Sequence, residues 1–118
     1  MFKASLRKIV DNTEGGLAGL IMGFDGITVE QYAPDGDKID INTVGMEFSF
    51  ILSQIRKAAE ILEIGRLTEI SVKAEELTFV IRVLSSEYFL ALALGPGGNF
   101  GKGRYLMRIA GPSLTAEL

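Results

Sequence analysis

The residues best placed for chemistry in this sequence are Gly97-Gly98-Asn99-Phe100-Gly101-Lys102-Gly103. The run would lie between a strand and a helix, where backbone amides and a lysine cradle phosphate in nucleotide-binding proteins. The match fails in detail. A phosphate loop needs glycine five residues before its Gly-Lys pair and Ser or Thr after the lysine, and those places hold Pro96, which has no amide hydrogen, and Gly103. A dinucleotide fingerprint begun at Gly95 and Gly97 breaks at Phe100. Asp35, Asp37 and Asp40 resemble the start of a calcium loop, but Lys38 intrudes and the twelfth position is Met46 instead of a bidentate glutamate. Glu75-Glu76 reads as a hairpin turn, not a catalytic carboxylate pair.

Histidine and cysteine are both absent. Their absence removes the side chain that titrates near neutrality, the thiolate nucleophile, disulfides and the commonest zinc and iron-sulfur ligands. An enzyme would have to work with carboxylates, lysine or tyrosine alone. The expectation is therefore a protein that is not an enzyme, with no catalytic residue, cofactor, metal or small-molecule substrate. A ligand-binding enzyme or sensor built on residues 95–103 stands as the third reading, behind two kinds of protein-binding module.

With 118 residues, 47% of them hydrophobic and 23% charged, the chain has the length and balance of one globular domain, 1–118. Its formal charge of −3, with scattered basic residues, argues against nucleic acid. No apolar run reaches the roughly 20 residues of a membrane helix, and Lys3, Arg7 and Lys8 are not followed by the apolar stretch of a secretory signal. A cytoplasmic protein without membrane contact is expected.

The elements that position these residues follow from periodicity. Phe2, Leu6, Ile9, Val10 and Thr13 form a helical stripe that Gly15-Gly16 ends. Residues 17–24 are almost wholly apolar, as in a strand covered on both faces, and Asp25-Gly26 predicts a two-residue hairpin to a second strand over 27–32. Asp40, Asn42 and Thr43 open a long helix running to Gly65. Strands are predicted over 68–74, 77–84 and 88–94, and a short final helix around Tyr105, Leu106 and Ile109 is expected to stop at Gly111-Pro112. The result is an α+β fold, helix-strand-strand-helix-strand-strand-strand-helix. A five-stranded antiparallel sheet would carry the long central helix on one face and the two terminal helices on the other.

The central helix carries too many apolar residues for one buried face. Val44, Phe48, Ile51, Leu52, Ile55, Ala58, Ala59 and Leu62 form a core stripe. Met46, Phe50, Ser53, Lys57, Ile61 and Ile64 fall on the opposite side, with Gln54 beside them. Single exposed hydrophobic residues are ordinary, but Met46, Phe50 and Ile61 are aligned, and Met and aromatic residues are enriched in interface cores. The third strand adds a polar outer face of Glu69, Ser71 and Lys73 and an edge left unpaired if it ends the sheet. Pairing that edge across a two-fold axis would set two central helices side by side, so both features predict a homodimer.

The stretch Leu17-Ala18-Gly19-Leu20-Ile21-Met22-Gly23-Phe24-Asp25-Gly26-Ile27-Thr28-Val29 resembles the apolar strand, Asp-Gly turn and second strand of the roadblock family. That family includes roadblock-type dynein light chains and the bacterial MglB-like regulators of Ras-like GTPases. The long helix, and residues 88–94 leading into a basic last helix with Arg104 and Arg108, are similar too, so the resemblance covers nearly the whole chain. It implies a homodimer built through the central helix and third strand, with a ten-stranded sheet and a small Ras-like GTPase docked on the paired helices. In MglB-like members such a dimer accelerates GTP hydrolysis by repositioning the GTPase's own groups. Carried over by position, the contact residues are Met46, Phe50, Ser53 and Lys57, with Gln54; Phe50 and Lys57 stand where the family often has small residues. The alternative is a scaffold subunit of a larger complex with no effect on hydrolysis.

Overall fold

A strand that is apolar on both faces has to be covered twice, which places the runs at 16–23 and 88–94 inside the sheet. The computed structural model describes residues 1–36 and 39–118. Its elements are α1 (Phe2–Asp11), β1 (Gly16–Gly23), β2 (Thr28–Tyr32), α2 (Ile41–Ile61), β3 (Glu69–Lys73), β4 (Thr78–Val83), β5 (Tyr88–Leu94) and α3 (Phe100–Glu117). The strands form an antiparallel sheet in the order β2-β1-β5-β4-β3, so β5 is central and β1 and β4 flank it. This is the α+β architecture read from the sequence. Alternate residues of the inner strands feed two cores. Ile21, Val80, Leu90, Leu92 and Leu94 meet Leu6, Ile9 and Val10 of α1 and Met107 and Leu114 of α3. On the other face, Ala18, Leu20, Met22, Phe79, Ile81, Phe89 and Ala91 meet Ile41 and Leu52 of α2.

Asp40 starts α2, its carboxylate accepting from the Thr43 backbone N–H at 3.1 Å and from the Thr43 hydroxyl at 2.7 Å. One turn on, Gly45 rests directly on β1: a Cβ there would overlap Leu20 Cδ2 and come within 3.1 Å of Met22 Cε. Phe48 then stacks on Phe79 of β4, centroids 4.9 Å apart. Thus the helix is held closest at its N-terminal half, over β1.

Three details differ from the sequence reading. The β1-β2 connection is a three-residue loop, Phe24-Asp25-Gly26, closed by Gly23 N–H to Ile27 O and Gly26 N–H to Gly23 O, both 2.9 Å. Only Gly26 takes positive φ (84°), whereas a two-residue type I′ turn requires it at both central positions. Asp25 instead uses its carboxylate to accept from Ile27 N–H at 3.0 Å. Next, α2 stops at Ile61 rather than running to Gly65. Ile64 N–H reaches Ala59 O and Glu63 N–H reaches Glu60 O, a Schellman closure with Glu63 as its left-handed residue at φ 53°. Finally, α3 does not stop at Gly111-Pro112 but continues to Glu117. Pro112 removes one helical hydrogen bond and an interior proline costs about 3 kcal/mol. The last turns hold because Leu114 is buried and the Thr115 hydroxyl donates to Leu84 O at 3.2 Å.

A glutamate held left-handed carries roughly 1–2 kcal/mol of strain. Glu63→Gly is therefore expected to raise stability by about 0.5–1 kcal/mol. The readout is a higher urea midpoint at unchanged slope, and Glu63→Ala should not give it.

Candidate functional site

The glycine-rich run is a structural seam. Gly95 N–H donates to Gly15 O, Gly98 N–H to Gly95 O, Asn99 N–H to Glu14 O and Gly103 N–H to Asn99 O, while Asn99 Oδ1 accepts from Lys102 N–H to cap α3. Amides engaged in this way are not offered to a phosphate. The glycines allow close backbone approach: a Cβ on Gly15 would lie 2.5 Å from Gly98 Cα. Of the acidic trio, Asp40 caps α2 and Asp37 lies outside the described residues. The hydrogen bonds from Thr43 hold the Asp40 carboxyl below its ordinary range. The Tyr32 hydroxyl donates to the Asp11 carboxylate, which pushes the phenol above its ordinary range. Both shifts come from structural bonds, one capping α2 and the other tying β2 to α1. Among the described residues, no cluster of three or more His, Cys, Asp or Glu could hold a metal.

What the fold leaves open is the outer side of α2. Each step of three residues turns a helix face by about 60°. Asn42 hydrogen bonds with Thr28 of β2, Gly45 sits on β1 and Phe48 stacks on β4. By the same rotation the next face in that series, Ile51's, turns toward the β3 side of the sheet. Ile51, Ala58 and Leu62 are exposed there, although their spacing had placed them in the core. The core stripe is narrower because Gly45 seats the helix over β1, so its far flank never reaches the sheet.

On the opposite flank Met46, Phe50, Gln54, Lys57 and Ile61 face away from the sheet. Phe50 is 71% and Ile61 81% exposed, values that mark them as uncovered rather than grazing. Ser53 is half-buried beside them, its hydroxyl donating to Ser49 O at 3.1 Å. Ile64 follows the helix end and is exposed, as is Leu62. The exposed surface is thus wider than the stripe inferred from spacing: beside the outward stripe of Met46, Phe50, Lys57 and Ile61 lies a flank of Ile51, Ala58 and Leu62 that spacing had assigned to the core. The flank was legible only as the margin of the apolar arc.

Among the described residues β3 pairs with β4 alone, and its other edge is open. Ile70 and Val72 pair with Ile81 and Phe79 and so share the α2 face, continuing the Ile51 flank. Glu69, Ser71 and Lys73 share the other face. Ser71 and Lys73 are exposed, but Glu69 is engaged by Arg104 (Nη2 to Oε2 2.6 Å) and Arg82 (Nη1 to Oε1 3.9 Å). The opposite sheet edge, β2, is different. Val29 is an extra residue between the pairs Ile21–Glu30 and Met22–Thr28, a bulge of the kind that twists an edge away from pairing.

No family model and no curated protein matches the chain. Solved structures do. MglC from Myxococcus xanthus is 44% identical, with 99% of this chain and 98% of that chain covered and a TM-score of 0.72. An MglB with a tetrameric arrangement is 15% identical over 96% of this chain and 84% of that one, with a TM-score of 0.85. A Roadblock/LC7 domain from Streptomyces avermitilis is 15% identical over 95% and 96%, with a TM-score of 0.76. The last two establish likeness of fold; identity over the whole length carries more.

The facing of α2 has a direct test in stability. Phe50→Ser should change the unfolding free energy by less than about 0.5 kcal/mol, because nothing in the fold covers that ring. Leu52→Ala, two positions on and buried, should cost roughly 2–5 kcal/mol in the same urea titration.

Proposed function

The chain belongs to the roadblock family, and from that premise we propose that it is a homodimer whose paired α2 helices bind a small Ras-like GTPase. The observation that carries the proposal is the two-sided exposure of α2, which offers separate surfaces on its flank and its outer side. The flank of Ile51, Ala58 and Leu62, with Ile70 and Val72 of β3, faces a second copy. The outward stripe of Met46, Phe50, Ser53, Gln54 and Lys57 is left for the GTPase, with Ile61 and Ile64 at the junction.

The open edge of β3 supports a particular register. Antiparallel pairing about a two-fold axis at Ser71 sets Glu69 of each copy opposite Lys73 of the other and Ile70 opposite Val72. Charges and apolar faces then match together, while a shift of one residue would bring Ile70 against Ser71. At β2 the same operation is hindered by the bulge at Val29 and, centred on Glu30, would oppose like charges. Burying what is still exposed of Ile51 and Leu62 in both copies contributes roughly 3–7 kcal/mol. Association itself costs about 4–15 kcal/mol, so the strand ladder decides whether the dimer holds.

The proposal puts the protein in the cytoplasm; among the described residues no helix is long and apolar enough to cross a membrane. It acts through binding, without catalysis of its own. The second reading, a scaffold subunit that leaves hydrolysis unchanged, is favoured by the identity pattern: 44% with MglC against 15% with the tetrameric MglB.

Two outcomes are expected. Ser71→Cys, in a chain with no other cysteine, should give a covalent dimer under mild oxidation, and Lys73→Cys much less of it; the reverse order would exclude the register. Mixed with Ras-like GTPases of the same genome, the protein should form a complex that Phe50→Asp abolishes while the crosslinked dimer persists. Phosphate release distinguishes the two readings: acceleration supports a regulator, complex formation without it supports the scaffold, and no complex with any GTPase refutes GTPase binding.

A further inference from the structure

The second open feature of the molecule lies on the other face of the sheet. A groove of ≈ 370 Å³ runs between α3 and β3, lined by Thr68, Glu69, Arg82, Arg104, Tyr105 and Arg108 with Gly101 at one end. Three guanidiniums against one carboxylate make it a basic site in a chain whose formal charge is −3. Glu69 is occupied twice over: its Oε2 accepts from Arg104 Nε at 2.8 Å as well as pairing with Nη2, and its Oε1 faces Arg82. One carboxylate cannot saturate three guanidiniums of five N–H donors each. Among the described residues Arg108 has no ion pair; its guanidinium lies 5.6 Å from the centre of the Tyr105 ring, which presents it toward the groove. Tyr105 and Ile109, one turn apart, are exposed beside it. No acidic residue stands in the first turn of α3, so nothing there offsets its positive end.

Arginine and tyrosine around a concave site are the residue types that anchor protein partners. We propose that this groove binds an acidic segment of a partner protein, its carboxylates paired with Arg108 and the outward N–H groups of Arg82 and Arg104, and an apolar neighbour resting on Tyr105 and Ile109. Glu69 keeps the two inner arginines in place, and by its own charge disfavours a continuous anionic surface such as a lipid headgroup layer or a nucleic-acid backbone. Every lining residue comes from one copy, on the face opposite Ile51 and Phe50; the proposed dimer would set Lys73 of the other copy beside Glu69, so it adjoins the site without supplying any of its lining.

The probe is a short fluorescein-labelled peptide of alternating glutamate and leucine, followed by anisotropy. It should bind with an affinity that falls steeply as salt rises. Arg108→Glu should weaken binding by about tenfold or more, the loss expected of one charged hydrogen bond, while Lys8→Glu should bind like the unaltered chain. Among the described residues Arg108 forms no ion pair that ties elements together, so an unchanged unfolding midpoint accompanies the loss. The proposal is overturned if the same peptide with glutamine for glutamate binds equally, if Arg108→Glu binds undiminished, or if phosphatidylglycerol vesicles capture the protein while the peptide does not.

Discussion

The contact of Gly45 with Leu20 and Met22 sets where everything on that face of the sheet can be. Only a residue without a side chain lets a helix backbone approach β1 so closely. With α2 seated there, Leu52 and Ile41 are drawn into the core and Phe48 reaches Phe79, but the helix cannot also cover β3. Ile51 and Leu62 are left exposed on the flank of the helix turned toward the β3 side. A bulkier residue at 45 would lift the helix and change which residues are exposed, without altering the order of the elements.

The same sheet treats its two edges unequally. β2 is bulged at Val29 and tied to α1 by the Tyr32–Asp11 hydrogen bond and the Lys3–Glu30 pair at 3.7 Å. β3 is regular over its whole ladder with β4, and among the described residues no strand pairs with its free side. Edges left regular are templates for pairing, and proteins usually blunt those they do not use. The polar face of β3 works inward as well, because Glu69 gathers Arg82 and Arg104 against α3. One strand thereby links an edge suited to another copy with a basic groove on the opposite layer.

The glycine-rich run shows how a chemical motif and a structural seam come to look alike. Both need backbone close to something: phosphate in one, the 14–16 segment in the other. The seam consumes the amides that a phosphate would require, through the bonds of Gly95, Asn99 and Gly103. Sequence identity and fold similarity separate in a comparable way. The MglB structure at 15% identity superposes with a TM-score of 0.85, above the 0.72 of MglC at 44%. Apolar pattern and element order are enough to keep the architecture at low identity.

The sequence by itself determined the order of helices and strands, the inner places of β1 and β5, the cap at Asp40 and the absence of histidine and thiol chemistry. These follow from short-range periodicity and composition, which depend on neighbours along the chain. It misplaced the ends that tertiary contacts decide. Glu63 closes α2 where Gly65 was the better left-handed residue, and α3 runs through Pro112 because Leu114 and Thr115 find partners on the sheet. The exposure of Ile51 and Leu62, and the meeting of Arg82 and Arg104 on Glu69, were decided by the tertiary structure alone. Periodicity says how wide an apolar arc is; only the height and position at which a helix is seated say how much of that arc is covered.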